Sequence, residues 1–314
     1  MAYKVYVDGQ EGTTGLKIQD YLSQRTEIEL LKIDPQKRKD ISARKEYLNE
    51  ADLVFLCLPD DAAREAVSLI DSKRTKVIDA STAHRINKDW VYGLPELGGG
   101  QRDRIRTALR VANPGCHATG FILLVFPLIQ LRILPKDYPV CCTSITGYSG
   151  GGKKLISKYE TSPKELVSSP KPYGLSLKHK HLPEMREITG LEYPPVFQPV
   201  VANYYKGMAV SVPLVSRLLD KKLDAGNIRE LLAEYYSGEH FIKVMPYFAD
   251  GIPDGDGYFN PEACNDTNNV EIFVFGNDDQ ILLMARFDNL GKGASGAAIQ
   301  NMNLMLGLNE TAGL

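Results

Sequence analysis

The chain lacks several features that would decide its class at once. No apolar run approaches the about 18 residues that a membrane-spanning helix needs; the longest, around Phe121–Leu128, is interrupted by Pro127 and Gln130. Neither charge dominates: 37 Lys and Arg face 39 Asp and Glu, a formal net charge of −2. Bulk charge therefore argues against a strongly basic nucleic-acid binder. The cysteines, Cys57, Cys116, Cys141, Cys142 and Cys264, are odd in number and form no CxxC pair. Neither a disulfide framework nor a metal site is expected, and a reducing, cytoplasmic setting fits. Low-complexity tracts and internal repeats are absent. The opening MAYKVYVDGQEG has no basic stretch followed by an apolar one, so no signal peptide is expected. What remains is ordinary globular material, 314 residues with 43% hydrophobic and 24% charged, enough for two domains or one large one.

The pattern changes near Cys116. Before it, apolar runs at Tyr3–Val7, Ile28–Ile33, Leu53–Leu58 and Lys76–Ala80 alternate with helical spacing at Leu16–Gln24 and Ala62–Ile70. Short continuous apolar strands alternating with helices predict βαβ units and a parallel sheet. After it come one long apolar helix, Ala118–Leu131, and strand-like runs at Val140–Thr146, Ala209–Leu214, Val270–Val274 and Ile281–Arg286. This predicts an α/β chain: a parallel-sheet domain plus an α+β domain whose sheet is mainly antiparallel. The last segment, Gly293–Leu308, reads as a small-residue helix that approaches its neighbours closely and returns to the first domain.

Gly9, Gly12 and Gly15 form GxxGxxG directly after the first strand and before a helix. Glycines let the backbone approach a pyrophosphate, the helix N-terminus attracts anions, and Thr13 and Thr14 add hydroxyls. A plain strand-to-helix turn would use the same residues, so position in the α/β pattern carries the dinucleotide reading. Asp34 lies 19 residues after Gly15, where an NAD enzyme places a ribose-binding acid, but Lys37, Arg38 and Lys39 follow at once and suit a 2′-phosphate. Spacing leaves NAD and NADP open.

Cys116 stands in ANPGCHATG, where turn residues give way to the apolar helix. A cysteine at a helix N-terminus has its thiolate stabilised by the dipole and free N–H groups, and the same amides can hold an oxyanion. The other four cysteines fit buried or unremarkable positions. His179 and His181, in KHKHLPEM, share a face if the segment is extended; Pro183 then opens a helix carrying Glu184. An imidazole held by a carboxylate is a general acid or base near neutral pH. His117 points about 100° away from its neighbour Cys116 on a helix and is a poor base. Arg85, after a strand end, is a candidate clamp for a phosphate or carboxylate.

These pieces together resemble the N-acetyl-γ-glutamyl-phosphate reductase family, in its shorter form, essentially end to end. The resemblance rests on GxxGxxG, Leu58–Pro59, DASTAHR at Asp79–Arg85, YGLPEL at Tyr92–Leu97, ANPGCHATG, GYSGGGK at Gly147–Lys153, HKHLPEM and DNLGKGASGAAIQN at Asp288–Asn301. It implies a Rossmann-type NADP-binding domain over residues 1–115, completed by the C-terminal helix 290–314, and a catalytic and dimerisation domain over 116–289, related to aspartate-semialdehyde dehydrogenase. It implies Cys116 as nucleophile, with His181 preferred over His179 as acid/base and Glu184 orienting it. It implies NADP held by Gly9, Gly12, Thr13, Thr14, Gly15, Lys37, Arg38, Pro59, Ser81 and Asn289. It implies an acyl-phosphate substrate held by Arg85, Asn113, Ser149 and Lys153, and a homodimer or homotetramer. Lys153 stands where longer members carry arginine, which puts its anion-binding role in question. The implied reaction is NADPH-dependent reduction of the acyl phosphate through a cysteine thioester, in arginine biosynthesis. An aspartate-semialdehyde or carrier-linked reductase, a cysteine hydrolase and a non-catalytic dinucleotide module are the alternatives.

Overall fold

The computed structural model describes residues 2–248, 254–255 and 257–314. The chain divides into two compact units: residues 1–115 with 294–314, and residues 116–293.

The first unit is a six-stranded sheet of β1 (Tyr3–Asp8), β2 (Ile28–Leu31), β3 (Leu53–Leu56), β4 (Lys76–Asp79), β5 (Val91–Tyr92) and β6 (Arg110–Ala112), in the order β2-β1-β3-β4-β6-β5. Every pairing is parallel. Its helices are α1 (Thr13–Ser23), α2 (Ile41–Glu50), α3 (Asp60–Ser68), α4 (Gln101–Thr107) and the returning α10 (Gly296–Leu306). Strand residues alternate between two cores. Val5, Val7, Leu53 and Phe55 pack with α1, α4 and α10, whereas Tyr6, Val54 and Leu56 pack with α2 and α3. Burial on both faces explains why these strands read as continuous apolar runs. Because β2 and β3 flank β1 on opposite sides, the chain order reverses at the carboxyl ends of β1 and β3, the place where open α/β sheets bind ligands.

The second unit opens with α5 (Cys116–Gln130), followed by β7 (Cys141–Gly147), α6 (Gly152–Thr161), α7 (Lys164–Val167), β8 (Lys171–Pro172), α8 (Leu182–Thr189), β9 (Val196–Ala202), β10 (Met208–Val215), α9 (Ala225–Tyr235), β11 (Ile242–Val244), β12 (Val270–Gly276) and β13 (Gln280–Phe287). The sheet order is β11-β12-β13-β10-β7-β9-β8. It is mixed and mostly antiparallel, with β11–β12 and β7–β9 parallel. β9 was not expected from the sequence. Pro199 breaks its pattern, yet the Pro199 carbonyl still accepts the Tyr173 N–H. The apolar α5 also runs through Pro127, which cannot donate to the carbonyl four residues back, that of Leu123. The Tyr236 hydroxyl donates to that carbonyl instead, at 2.7 Å, so the helix continues to Gln130.

Candidate active site

In the first unit, β1 turns into α1 through Gly9, whose φ of +88° places it in the left-handed region. A Cβ at Gly9 would strike the Cys57 carbonyl oxygen, and one at Gly15 would come within 2.6 Å of the Gly9 carbonyl oxygen. The turn therefore packs against the end of β3 only because two side chains are missing. Gly12, the N-cap of α1, offers no side chain to the first-turn amides, which leaves them as anion donors. Beside the turn lies a cavity of about 490 Å³. Its wall includes Gly9, Gly12, Pro59, Arg38, Lys39 and Arg44.

Of the two candidate charge elements, the cavity takes the basic one. Arg38, which pairs with Glu11, and Lys39 line it, whereas Lys37 and Asp34 do not. Asp34 is exposed, and its side chain and carbonyl accept the Gln36 and Lys37 amides to shape the turn. Arg44 went unnoticed in the sequence. Its Nη2 donates to Asp8 Oδ2 at 2.8 Å and its Nη1 to Glu65 at 3.0 Å. Burial pushes the Asp8 carboxyl up, and Arg44 pulls against that shift. No spacing rule links residues 36 apart, so only the fold reveals the pair.

Ser81, Arg85 and Asn113 gather at the ends of β4 and β6. The Ser81 hydroxyl donates to Asp79 at 2.7 Å, and Asp79 also meets His84 Nδ1 at 2.6 Å. Arg85 is buried, with Nε donating to the Asn113 carbonyl and Nη2 to that of Ala80, each at 3.0 Å. Asn113 Nδ2 donates to the Ala294 carbonyl and its Oδ1 accepts from Asn301 Nδ2. These groups fix the strand that delivers Pro114, Gly115 and then Cys116.

In the second unit, Cys116 is the first residue of α5 and is half-buried. Gly293 passes so close that a Cβ there would come within 2.9 Å of the Cys116 Cβ. Three imidazoles surround the start of the helix. His117 lies 5.5 Å, ring centre to ring centre, from both His179 and His181, and those two lie 4.8 Å apart. Lys180 and His181 form a turn that leads into α8, so the pair does not lie on one extended strand. The rings still meet, because the His181 N–H donates to His179 Nδ1 at 3.2 Å. That contact makes Nδ1 an acceptor and puts the proton of a neutral His179 on Nε2. His181 precedes α8, and its Nε2 is 4.0 Å from the buried Glu184 Oε1, beyond hydrogen-bond length and an ion pair only when the ring is protonated.

His117 is buried between Ser144 Oγ, 2.7 Å from Nδ1, and the Tyr173 hydroxyl, 2.9 Å from Nε2. Burial, and then the positive potential of His179 and Lys180, lower its pKa to about 3, so it is neutral. Burial pushes the thiols of Cys57 and Cys264 up to about 12, and that of Cys142 up as well. These three are unreactive near neutral pH. Asn289 and Ser149 form a separate pair: Asn289 Nδ2 donates to Ser149 Oγ at 3.0 Å, and Asn289 Oδ1 accepts the Gly207 N–H at 2.8 Å. Lys153 is exposed on α6. Among the described residues no His, Cys, Asp and Glu cluster could hold a metal ion, and no helix is long and apolar enough to cross a membrane.

Two family models match the chain: "Semialdehyde dehydrogenase, NAD binding domain" over residues 4–108 and "Semialdehyde dehydrogenase, dimerisation domain" over residues 116–289. Among similar proteins, N-acetyl-gamma-glutamyl-phosphate reductase 2 of Nostoc sp. is 48% identical over 99% of both chains. The N-acetyl-gamma-glutamyl-phosphate reductase of Chelativorans sp. is 48% identical over 98% of this chain and 99% of its own. Among solved structures, aspartate semialdehyde dehydrogenase from Francisella tularensis covers 98% of this chain and 100% of that one, with a TM-score of 0.74 at 14% identity. Aspartate semialdehyde dehydrogenase with NADP from Candida albicans covers 98% and 99%, with a TM-score of 0.65 at 17% identity. These structural likenesses establish the shared fold.

Proposed function

The chain belongs to the N-acetyl-gamma-glutamyl-phosphate reductase family, and from that membership we propose that it reduces N-acetyl-γ-glutamyl phosphate with NADPH to N-acetyl-glutamate 5-semialdehyde and phosphate, in arginine biosynthesis. The observation that carries this reading is a half-buried cysteine as first residue of an apolar helix, beside a cluster of three imidazoles.

The first unit fits a dinucleotide. Thr13 Oγ1 is buried without a hydrogen-bond partner at the start of α1, and a donor left dry there suits a phosphate oxygen. Gly9 and Gly12 leave the backbone approachable, and Arg38 and Lys39 suit a 2′-phosphate. NADPH, when bound, supplies the hydride, which a thioester accepts far better than a carboxylate does.

The Cys116 thiolate attacks the acyl carbon; the C–S bond forms, the C–O bond to phosphate breaks, and the oxyanion rests on amides at the head of α5. After reduction the hemithioacetal oxygen takes a proton from the His179–His181 pair, with His181 kept as the acid/base and Glu184 as its counter-charge. As the aldehyde forms, that oxygen returns its proton and the electrons of the C–S bond go back to sulfur. Arg85, Asn113, Ser149 and Lys153 are the residues that hold the acyl-phosphate substrate, and the hydrogen bonds of Arg85 and Asn113 also hold the turn before Cys116. Cys116→Ala should lower phosphate-dependent reduction of NADP+ by N-acetyl-glutamate semialdehyde by at least about a thousandfold while NADP+ still binds. Turnover at the wild-type rate would overturn the covalent route.

The protein works in the cytoplasm as a homodimer or homotetramer. Support for self-association lies on one face of the second sheet. Cys142, Ser144 and Val210 are buried on one side, whereas Cys141, Ile145, Val196 and Pro213 stay open on the other, an apolar face that a second copy can cover. Sedimentation should return at least twice the 34.8 kDa of one chain; a single-chain mass would count against it.

A further inference from the structure

Asn301 is fully buried on α10, a helix buried from Gly296 to Met305, where its neighbours Ala297, Ala298 and Met302 are apolar. Its Nδ2 donates to the Gly93 carbonyl at 2.9 Å and to Asn113 Oδ1 at 3.2 Å. Asn113 in turn has every polar group engaged. Its N–H donates to the Asp79 carbonyl at 2.8 Å, its carbonyl accepts from Arg85 Nε at 3.0 Å, and its Nδ2 donates to the Ala294 carbonyl at 2.9 Å. Three residues after Asn113 the chain reaches Cys116. It leaves the first unit after Gly115 and returns to it at Ala294, so the Asn113 side chain joins the outgoing segment to the returning one.

We propose that Asn301 is a positioning residue, whose side-chain amide fixes Asn113 and, through it, the turn that presents Cys116 at the head of α5.

The directions of these bonds follow from the backbone. The Ala294 and Gly93 carbonyls only accept. Asn113 therefore turns its NH2 group to Ala294 and its Oδ1 to Asn301, and Asn301 supplies one N–H to Asn113 and one to Gly93. That orientation leaves Asn301 Oδ1 buried with no hydrogen-bond partner among the described residues. An orphaned acceptor costs stability, so asparagine is a poor choice here for packing alone. Gly93 carries the same message. A Cβ there would come within 2.5 Å of Asn301 Nδ2, so a side chain is missing where the amide enters. Gly93 follows β5, Asn113 follows β6, and the Gly93 N–H donates to the Ala112 carbonyl at 2.8 Å. The Asn301 amide thus bridges the carboxyl ends of two neighbouring strands. Asn303, on the same helix, is the contrast. It is equally buried, but its Oδ1 accepts from Arg25 and its Nδ2 donates to the Glu310 and Ala312 carbonyls, so it holds the C-terminal residues and not the turn.

This proposal rests on Cys116 being the nucleophile, so the experiment first maps the site. Wild-type protein is inactivated with iodoacetamide across a pH series, and the labelled peptide is identified by mass spectrometry. Inactivation that leaves Cys116 unlabelled would remove the nucleophile reading, and this proposal with it. With Cys116 mapped, Asn301→Ala and Asn303→Ala are compared with wild type in phosphate-dependent NADP+ reduction by N-acetyl-glutamate semialdehyde. Asn301→Ala should lower kcat about a hundredfold and leave KM for NADP+ little changed. It should also displace the inactivation profile to more alkaline pH, because a loosened turn no longer holds the sulfur at the helix head. Asn303→Ala should lower Tm with kcat and profile in place. A folded Asn301→Ala protein with the wild-type kcat and profile overturns the proposal. An equal loss in Asn303→Ala overturns it too, by assigning the effect to packing of α10. Should Asn301→Ala fail to fold, Asn301→Ser, whose shorter side chain cannot reach both oxygens, decides by the same readings.

Discussion

The cavity of the first unit and the imidazole cluster of the second are built in opposite ways. The cavity exists because side chains are missing. Gly9 and Gly15 let a turn press against β3, and Gly12 leaves the helix head uncapped. The cluster exists because particular side chains are present, each fixed by another: Ser144 and Tyr173 on His117, the His181 amide on His179. A backbone cradle recognises a general chemistry, anionic and extended, whereas a side-chain cluster sets the protonation state of each member. The contrast also separates the cysteines. Cys57 lines the cavity, and burial pushes its thiol up to about 12, while Cys116 heads a helix at the cluster.

The sharpest way to test that contrast is acid. His117 has its pKa lowered from 6.5 to about 3 by burial and then by the neighbouring His179 and Lys180. Between those values the unfolded chain takes up a proton that the folded chain refuses, so stability is full above about pH 6.5 and falls as pH drops towards 3. The loss on this account is on the order of several kcal/mol. Thermal melts from pH 7 to pH 4 should show a steep decline that His117→Gln flattens. An equal slope in the variant would mean that other groups drive the decline.

A smaller effect is expected in the cavity. Replacing Arg38 and Lys39 with Ala should weaken NADPH binding about tenfold, or ~1.4 kcal/mol, and leave NADH binding unchanged. Equal losses for both cofactors would assign the two cations to packing rather than to the 2′-phosphate.

The parallel sheet was legible because strands buried on both faces must be apolar throughout, as in Leu53–Leu56. That Cys116 lies at or near the head of α5 was legible too, since Asn113, Pro114 and Gly115 favour a turn and the run after them a helix; the helix begins at Cys116, two residues before the expected Ala118. The choice of cations over Asp34 came from family resemblance rather than spacing, and the cavity is lined by Arg38 and Lys39. Other parts depend on contacts between residues far apart in the chain. Tyr173 reaches His117 across 56 residues, and Arg44 reaches Asp8 across 36. β9 was hidden by Pro199, whose missing N–H argues against an interior strand. The histidine pair shares a face in an extended segment, which is as far as its alternation reaches; the structure has a turn at Lys180 and His181 that brings the same rings together through an amide.

The most direct test of the central claim is mass spectrometry of the protein mixed with N-acetyl-γ-glutamyl phosphate, with NADPH withheld and the reaction quenched in acid. The account predicts one N-acetyl-glutamyl group on the Cys116 peptide, released by hydroxylamine and missing from Cys116→Ala. An acyl group on another residue, or turnover on restoring NADPH with no acyl-enzyme ever trapped, would contradict it.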